Sequence, residues 1–355
     1  MNPVRKKTKK VMVGNLFIGG CAPITVQSMT KTDTRNIPAT IKQIRRLEDA
    51  GCEIIRCAVP DGEAAEALRE IKKKISIPLV ADIHFDYRLA LIAMEGGVDK
   101  LRINPGNIGE RGRVEKVVRM AKERDIPIRI GVNSGSLEKD ILKKYGEVNA
   151  EAMVESAMRH IAILESLDFG SIVISLKASD IQRTVASYRL LSEKVEYPLH
   201  IGITESGSSF RGAIKSSIGL GILLSEGIGD TLRVSITGNP EKEVEIGLEI
   251  LRSMGIRQDG AFIVSCPVCG RCEIDMTGVA AEIEKSLSRI RKPVRIAIMG
   301  CAVNGPGEAM EADLGIAGGK EEALIFRKGT IIRKVKERDI VEEFLREVED
   351  FLKDR

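Results

Sequence analysis

The chain has 355 residues, of which 43% are hydrophobic and 30% charged, and its formal net charge is +4. This balance is typical of a folded globular protein and excludes an intrinsically disordered chain. The mild net charge, the 3% aromatic content and the absence of tryptophan argue against a nucleic-acid-binding surface.

The N-terminal region predicts a cytoplasmic protein. The basic opening MNPVRKKTKK is followed by VMVGNLFIGG, which reads as a short hairpin turned at Gly14 and Asn15. It lacks the long apolar core of a signal peptide, and no apolar run along the chain has the length of a membrane span. Because the cytoplasm keeps thiols reduced, the seven cysteines favour metal binding or catalysis over disulfides.

From residue 24 to residue 256, short β-branched apolar segments alternate with amphipathic helical segments. The strand candidates are ITVQSM (24–29), EIIRCAV (53–59), PLVADIHF (78–85), KLRINPG (100–106), PIRIGVN (127–133), SIVISLK (171–177), PLHIGIT (198–204) and TLRVSIT (231–237). Strands that alternate with helices form a parallel sheet, and eight such units favour a closed (β/α)8 TIM barrel. An open doubly wound α/β sheet is the alternative.

The remainder of the chain predicts a smaller α/β domain. It runs from the strand AFIVS through a cysteine loop, a helix and the strand VRIAIMG to three more short strands and an amphipathic C-terminal helix. We therefore predict a TIM-barrel domain over residues 1–257 and a second domain over residues 258–355.

Five of the predicted barrel strands carry a cation near the same end. They are Arg56, Arg102, Arg129, Lys177 and Arg233. Side chains alternate between the two faces of a strand, and in each case the opposite face is apolar and suited to packing against helices. The cations should therefore point toward the barrel mouth, where TIM barrels place their active sites.

Cations gathered so closely repel one another, so an anion should share the space. Asp82 and Glu205 offset only part of the charge. Arginine forks match phosphate oxygens, so a phosphate or diphosphate ester is the expected ligand. The alternative is that each arginine simply ends a strand in solvent or pairs with a neighbouring acid. Histidines 84, 160 and 200 and cysteines 21, 52 and 57 carry little functional signal, and the three cysteines are expected in the core.

The segment SCPVCGRC spaces three cysteines as C-x-x-C-x-x-C, and Cys301 follows in the glycine-rich segment GCAVNGPGEA. Zinc and iron–sulfur clusters both accept such cysteines. No second C-x-x-C or histidine pair accompanies Cys301, which favours an iron–sulfur cluster. Spacing alone indicates Cys266, Cys269, Cys272 and Cys301 as ligands, with zinc still possible.

These motifs resemble, nearly end to end, the 4-hydroxy-3-methylbut-2-enyl diphosphate synthase family. The resemblance is carried by PITVQSMTKTDT, AGCEIIRCAVP, LVADIHFD, KLRINPGNIG, RIGVNSGSL, SLKASD, GITESG, RVSITG, SCPVCGR and CAVNGPGEA. It implies a TIM barrel followed by a [4Fe–4S] cluster-binding domain. It also implies that the cluster is held by Cys266, Cys269, Cys301 and Glu308, and that Cys272 is not a ligand. An exchangeable oxygen ligand would leave one iron open to a substrate oxygen.

The resemblance further implies the reaction. The substrate would be 2-C-methyl-D-erythritol 2,4-cyclodiphosphate, which is opened and reductively dehydrated to (E)-4-hydroxy-3-methylbut-2-enyl diphosphate in non-mevalonate isoprenoid biosynthesis. Reduced ferredoxin or flavodoxin would supply two electrons. A homodimer is also implied, in which the cluster domain of one subunit covers the barrel of the other.

The resemblance assigns roles to individual residues. Substrate binding falls to Arg56, Asp82, Arg102, Asn104, Arg129, Asn133, Lys177, Arg233, Ser235 and, from the cluster side, Asn304. Glu205 is the candidate proton donor, and Glu308 is both a catalytic residue and a cluster ligand.

Two alternative interpretations, from other functional classes of protein, stay open. The chain could be a binding or scaffolding protein with a structural zinc module. It could also be a cofactor-independent barrel aldolase or a pterin-type transferase with an unrelated accessory domain.

Overall fold

The structure, a computed structural model, describes residues 4–266, 268–287, 290–301 and 310–354. The chain forms two compact units, Met1–Met254 and Gly255–Arg355. Within the described residues, no helix is long and apolar enough to cross a membrane.

The first unit begins with a hairpin and continues as alternating strands and helices. Its strands are β1 (Val11–Val13), β2 (Leu16–Ile18), β3 (Thr25–Met29), β4 (Ile54–Ala58), β5 (Leu79–Asp82), β6 (Lys100–Ile103), β7 (Ile128–Asn133), β8 (Ile172–Lys177), β9 (His200–Ile201) and β10 (Thr231–Leu232). Its helices are α1 (Ile37–Ala50), α2 (Gly62–Lys72), α3 (Tyr87–Glu95), α4 (Arg111–Glu123), α5 (Lys139–Tyr145), α6 (Ala150–Glu165), α7 (Ile181–Lys194), α8 (Ser209–Ser225) and α9 (Pro240–Ser253).

Strands β3 to β10 form one parallel sheet in the order β8-β7-β6-β5-β4-β3-β10-β9. A parallel bridge between Ile174 and Leu199 joins the two outer strands of that order and closes the sheet into a barrel. The predicted TIM barrel is therefore confirmed, and the open doubly wound sheet is excluded.

Local sequence signals position the helices of the barrel. The N-cap side chains of Asn36, Asp61, Asn149 and Asp180 each accept a hydrogen bond from a backbone N–H of the first helical turn. Such caps satisfy donors that the helix itself leaves free, and they fix where each helix begins. The helices then pack apolar faces on the outside of the barrel strands.

The β1–β2 hairpin covers the end of the barrel opposite the carboxyl ends of the strands. Val11, Val13 and Ile18 pack in one cluster with Ile54, Val80 and Val173 from β4, β5 and β8. These barrel residues precede Arg56, Asp82 and Ser175 by two positions, so they form the layer beneath the polar one. The hairpin thus closes the base of the barrel with apolar side chains.

The structure differs from the predicted elements at two places. The strands expected over 198–204 and 231–237 shorten to the two-residue strands β9 and β10, so Glu205 and Ser235 lie in the loops that follow. An additional helix, α5, lies between β7 and α6. Both differences occur at the loops that follow the strands, where sequence periodicity is weakest.

In its described residues, the second unit contains a five-stranded mixed sheet and the two helices whose bounds follow. Its elements are β11 (Ala261–Ser265), α10 (Met276–Leu287), β12 (Val294–Met299), β13 (Leu314–Gly318), β14 (Glu322–Arg327), β15 (Thr330–Lys336) and α11 (Ile340–Lys353). Strands β11, β12 and β13 are parallel, whereas β14 and β15 add antiparallel to one edge. Both helices contribute to one core with the sheet, through residues such as Ile283 and Phe344.

The hairpin seal gives a test of barrel stability. We expect Ile18→Ala to lower the free energy of unfolding by about 2–5 kcal/mol, because Ile18 is fully buried and truncation leaves a cavity. Met12→Ala, on the exposed face of the same hairpin, should change it by less than about 0.5 kcal/mol. Urea unfolding measures both, and equal effects of the two variants would show that the hairpin does not seal the barrel.

Candidate active site

A cavity of ≈ 220 Å³ opens at the carboxyl ends of the barrel strands. It is lined almost entirely by polar side chains. They are Arg56, Asp82, His84, Arg102, Arg129, Asn133, Ser175, Lys177, Thr204, Arg233 and Ser235. All five predicted cations are therefore brought together, and they come from β4, β6, β7, β8 and the residue after β10.

Two glycines make room for two of the cations. A Cβ at Gly131 would overlap the guanidinium of Arg102, whose Nη2 donates a 2.8 Å hydrogen bond to the Gly131 carbonyl. A Cβ at Gly202 would lie 2.7 Å from Nζ of Lys177 and 2.5 Å from the Arg233 carbonyl. The long side chains can therefore cross the barrel interior only because the facing strand positions carry no side chain.

Asp82 is the carboxylate at the centre of the cavity. Its oxygens lie 3.2 Å from Nη1 of Arg102, 3.7 Å from Nε of Arg56 and 3.7 Å from Nε2 of His84. Burial alone would raise the pKa of Asp82, but Arg56, His84 and Arg102 together hold it well below its usual range. Asp82 is thus an anion at every physiological pH and orients two arginines.

Glu243, on α9, is a second carboxylate that sequence reasoning missed. It is only 1% exposed, and its Oε2 lies 3.4 Å from Nη2 of Arg233. The same carboxylate accepts hydrogen bonds from Ser28 Oγ at 3.2 Å and from the Ile236 backbone N–H at 3.3 Å. Helical periodicity could have found Glu243, because it is an acidic residue on the apolar face of the segment EKEVEIGLEIL. The alternation of residues along strands could not detect it.

Arg129 has no such partner. It is 1% exposed, and none of its three guanidinium nitrogens has a hydrogen-bond partner within the described residues. Burial, and then Arg56 and Arg102, hold the pKa of Arg129 well below its usual range. Arginine nevertheless remains protonated in proteins, so a buried, unpaired positive charge points into the cavity.

The cations of the mouth share a common perturbation. Burial is the first cause that lowers the pKa of Lys177, followed by the neighbouring cations Arg129 and Arg233. Burial, followed by the positive charge of Arg56, lowers the pKa of Arg233 to about 10. Asp82 and Glu243 are the carboxylates that pair with these cations in the described part of the chain, so the mouth carries excess positive charge. An anion with several oxygens suits it.

Two predicted site residues in this unit, the substrate residue Asn104 and the candidate proton donor Glu205, are not among the residues that line the cavity. Asn104 Oδ1 accepts a 2.9 Å hydrogen bond from the Gly131 backbone N–H, so Asn104 fixes the strand and does not line the cavity. Glu205 is exposed in the loop after Thr204 and adopts a left-handed backbone with φ of 52°. A side chain held in that region is strained, and such strain concentrates at functional sites.

Three lining residues were not among the predicted site residues. His84 and Ser175 share their strand faces with Asp82 and Lys177, so alternation places them at the mouth, but their residue types alone carried too little signal. Thr204 lines the cavity beside the predicted Glu205. His160 and His200 are buried, as are Cys52 and Cys57. Cys21 is exposed, so the expectation of a core position is wrong for it.

In the second unit, the cysteines lie at one edge of the sheet. Cys266 follows β11 and Cys301 follows β12, and the two strands are parallel and in register. The Cys266 N–H donates to the Ile298 carbonyl at 2.8 Å, which continues that pairing. The pKa of Arg271 is raised by a hydrogen bond to Cys301 and by the charges of Cys269, Cys301 and Cys266. Cys301 therefore contacts this guanidinium directly, and Cys266 and Cys269 act on it electrostatically.

Cys272, the third cysteine of the run, has different contacts. The Cys272 Sγ donates a 3.2 Å hydrogen bond to the Ile274 carbonyl and packs against the core beneath α10. A Cβ at Gly300 would lie 3.1 Å from that sulfur. Cys272 thus faces the interior of the unit.

The donor set fits an iron–sulfur cluster in its chemistry, because thiols are the soft ligands that such clusters use, and Cys266 and Cys301 follow two adjacent strands. Within residues 4–266, 268–287, 290–301 and 310–354, however, no three His, Cys, Asp or Glu side chains are already arranged to hold a metal ion. Glu308 and Asn304 lie outside the described residues.

Comparison with known proteins gives consistent results for both units. A family model described as the GcpE TIM-barrel domain matches residues 8–248, and one described as the GcpE protein C-terminal domain matches residues 262–350. A protein of Geobacter sulfurreducens named 4-hydroxy-3-methylbut-2-en-1-yl diphosphate synthase (flavodoxin) is 60% identical, covering 99% of this chain and 100% of the relative. One of Caldanaerobacter subterraneus with the same name is 57% identical over 354 residues, covering 100% of each chain.

A solved structure supports the barrel architecture. Dihydropteroate synthase from Stenotrophomonas maltophilia superposes with a TM-score of 0.51 at 11% identity, covering 70% of this chain and 98% of the other. At that identity the likeness concerns the fold alone.

The glycine at position 202 gives a test of the anion site. We expect Gly202→Ala to weaken binding of inorganic pyrophosphate about 10- to 100-fold, because the added methyl group meets both the Arg233 carbonyl and Nζ of Lys177 and so displaces cations that contact the anion. Gly221→Ala on α8, where nothing lies within 4 Å, is the matched control and should bind normally. Isothermal titration calorimetry measures both affinities. Unchanged affinity in Gly202→Ala would show that Lys177 does not contact the anion.

Proposed function

The chain belongs to the GcpE family, and from this membership we propose that it converts 2-C-methyl-D-erythritol 2,4-cyclodiphosphate to (E)-4-hydroxy-3-methylbut-2-enyl diphosphate. The observation that carries the proposal is the buried, unpaired guanidinium of Arg129 in a cavity lined by four further cations. A diphosphate supplies the oxygens and the negative charge that these groups lack.

The reaction is a two-electron reduction with loss of water. The bond between the tertiary ring carbon and its phosphate oxygen breaks, the neighbouring hydroxyl leaves as water, and a carbon–carbon double bond forms between these two carbons. Two electrons and two protons balance the step when every acid is written neutral. The diphosphate stays attached at the other end of the carbon chain and gains charge as its ring ester is released.

The barrel mouth would bind and stabilise that diphosphate. Arg56, Arg102, Arg129, Lys177 and Arg233 provide fixed cations, and Asn133 and Ser235 provide neutral donors at the same cavity. Because these groups are already positioned, they would stabilise the charge released on ring opening without further rearrangement. Asp82 contributes by orienting Arg56 and Arg102, and Asn104 by fixing the backbone of Gly131.

Glu205 is the proposed proton donor for the departing hydroxyl. It is exposed in the loop after β9, next to the lining residue Thr204, and its left-handed backbone fixes the direction of its side chain. A carboxyl group at the rim can take protons from solvent between turnovers.

Cys266, Cys269 and Cys301 would hold a [4Fe–4S] cluster, with Glu308 as the fourth, exchangeable ligand. When bound, this group supplies the two electrons one at a time and a Lewis-acidic iron. The contacts of Cys272 with the Ile274 carbonyl and the core support leaving it out of the proposed ligand set. Asn304 is proposed to contact the substrate from the cluster loop.

Reduced flavodoxin, the donor that appears in the relatives' names, or a ferredoxin would supply the electrons. We also propose a homodimer in which one subunit's cluster domain closes the partner's barrel, with residues 1–257 binding substrate and residues 258–355 holding the cluster. We propose a cytoplasmic location, because a reducing compartment keeps the cysteine ligands of a cluster as thiols.

Two variants separate binding from proton delivery. We expect Arg102→Ala to raise the Kd for the cyclic diphosphate about 100-fold, since a charged hydrogen-bond donor is lost, without bleaching the cluster. Glu205→Gln should bind the substrate normally but lower kcat about 10²- to 10⁴-fold. Arg119→Ala, on the exposed face of α4, is the control for Arg102→Ala. Normal turnover in Arg102→Ala would refute the binding role.

The cysteine assignment predicts opposite outcomes for two neighbouring serine variants. Anaerobically purified wild type should contain about four irons and four sulfides per chain. Cys269→Ser should lose the iron and the visible absorption, whereas Cys272→Ser should keep both, because a serine hydroxyl can still donate to Ile274. Iron and sulfide analysis distinguishes them. Stoichiometric zinc without iron in the wild type would instead support a structural zinc module.

A further inference from the structure

A second basic group lies beneath the cations of the mouth. Lys100 is two residues before Arg102 on β6, so both side chains point into the barrel, and the strand rise places Lys100 one layer deeper. Lys100 is fully buried and is not among the residues that line the cavity. Its Nζ has no hydrogen-bond partner within the described residues. Its charge is therefore unexplained by any internal pairing.

Two arginines of the mouth act on Lys100. The charged groups that act on it are Arg129 on β7, Arg56 on β4 and the adjacent Asp99, and His200 on β9 also lies within its electrostatic reach. Asp99 already binds Lys72 Nζ at 2.5 Å and the Leu79 N–H at 2.7 Å. Burial first, then Arg129 and Arg56, hold the pKa of Lys100 well below its usual range.

Lys177 is subject to the same repulsion. The cations that face it are Arg129, Arg233, Arg56 and Arg102. Its Nζ lies 3.1 Å from Nε2 of the fully buried His200, whose Nδ1 lies 3.4 Å from Thr231 Oγ1. Burial, then Lys177, Arg129, Lys100 and Arg56, keep the pKa of His200 well below its usual range, so His200 stays neutral. A neutral imidazole can accept from the amine whether or not Lys177 is protonated.

We propose that Lys100 forms a deeper tier of the substrate site and acquires a proton, together with Lys177, when the diphosphate binds, so that substrate binding takes up protons from solution. This inference rests on the proposed function. In the free protein, repulsion prevents all the basic side chains in this space from being protonated at the same time. The bound anion supplies the missing negative charge.

The chemistry of the substrate makes the effect measurable. Each phosphorus atom of the cyclic diphosphate carries one strongly acidic oxygen, so the ligand has no group that titrates near neutral pH. Any proton taken up on binding must therefore go to the protein. A unit negative charge about 8 Å away, in a medium of effective dielectric about 20, favours the protonated amine by at least about tenfold. Two such charges compensate much of the repulsion from Arg129 and Arg56.

The direction of the pH dependence follows from linkage. Because binding takes up protons, affinity for the cyclic diphosphate strengthens as pH falls, by up to about tenfold per pH unit for each proton. This pH dependence extends from pH 10.5, the ordinary pKa of a lysine, down to the lowered pKa values of Lys100 and Lys177 in the free protein.

The test is calorimetric titration of the full-length, anaerobic, cluster-loaded protein with the cyclic diphosphate at pH 8. Buffers with different ionisation enthalpies give the number of protons taken up. We expect about one to two protons per site in the wild type and a decrease of up to about one proton in Lys100→Met, which still binds. Lys42→Met, an exposed lysine on α1, is the matched control and should behave as the wild type.

Several outcomes would overturn the inference. Binding heats that do not depend on the buffer would show that no proton is taken up. Equal uptake in wild type and Lys100→Met would remove Lys100 from the site. Failure of the wild type to bind the cyclic diphosphate at all would instead refute the proposed function, so the two failures are distinguishable.

Stability against pH gives an independent readout that does not need the ligand. Folded Lys100 holds its proton less tightly than the unfolded chain does, so the unfolded state binds more protons at neutral pH. Stability of the wild type should therefore rise with pH toward 10.5. We expect Lys100→Met to have a higher urea midpoint at pH 7, with the difference narrowing by pH 10. A pH-independent loss of stability, checked also with Lys100→Gln, would show that Lys100 is charged and paired in the free protein, which overturns the inference.

Discussion

Electrostatic repulsion among buried cations is the constraint on which the site depends. Parallel strands bring their carboxyl ends to one mouth, so residues far apart in the chain deliver their charges to a single volume. Asp82 and Glu243 neutralise part of that charge, and each does so through more than one contact. Arg129 is left without a hydrogen-bond partner in the described part of the chain. A protein keeps such a group buried at a cost in stability, and an anionic ligand gives the clearest physical reason for it.

The rest of the barrel makes that cost tolerable. Beneath the polar groups, β4, β5 and β8 carry the apolar residues Ile54, Val80 and Val173, against which the β1–β2 hairpin packs, whereas β6 carries Lys100. Gly131 and Gly202 are needed for a different reason, because the long side chains of Arg102 and Lys177 lie across the strands that carry these glycines. Hydrophobic burial at the base therefore offsets part of the unfavourable charge at the mouth.

Sequence reasoning recovered the architecture because it depended on strong, repeated signals. Alternating apolar and polar residues marked the strands, and that same alternation grouped Arg102, Arg129 and Lys177 at one end. It failed where the chain leaves strand geometry. Glu243 reaches the mouth from a helix, and Asn104 turns away from the cavity to bind the Gly131 N–H, which only the three-dimensional register shows. The functional roles of these residues, including those of Glu308 and Asn304, stay predictions.

The cysteine run shows a related limit of spacing arguments. C-x-x-C-x-x-C presents three equivalent thiols in one dimension, and a fourth cysteine 29 positions after Cys272 completes an apparent four-thiolate set. Folding removes the equivalence. Cys266 and Cys301 follow two paired strands and reach the same sheet edge, whereas Cys272 turns back to the Ile274 carbonyl and the core. A fourth thiolate would produce a closed electron carrier, but the chemistry proposed for this chain needs a site that a substrate oxygen can enter. If the proposed ligand set holds, the inward orientation of Cys272 has a functional consequence, because it keeps a soft, tightly held ligand away from the position that must remain exchangeable.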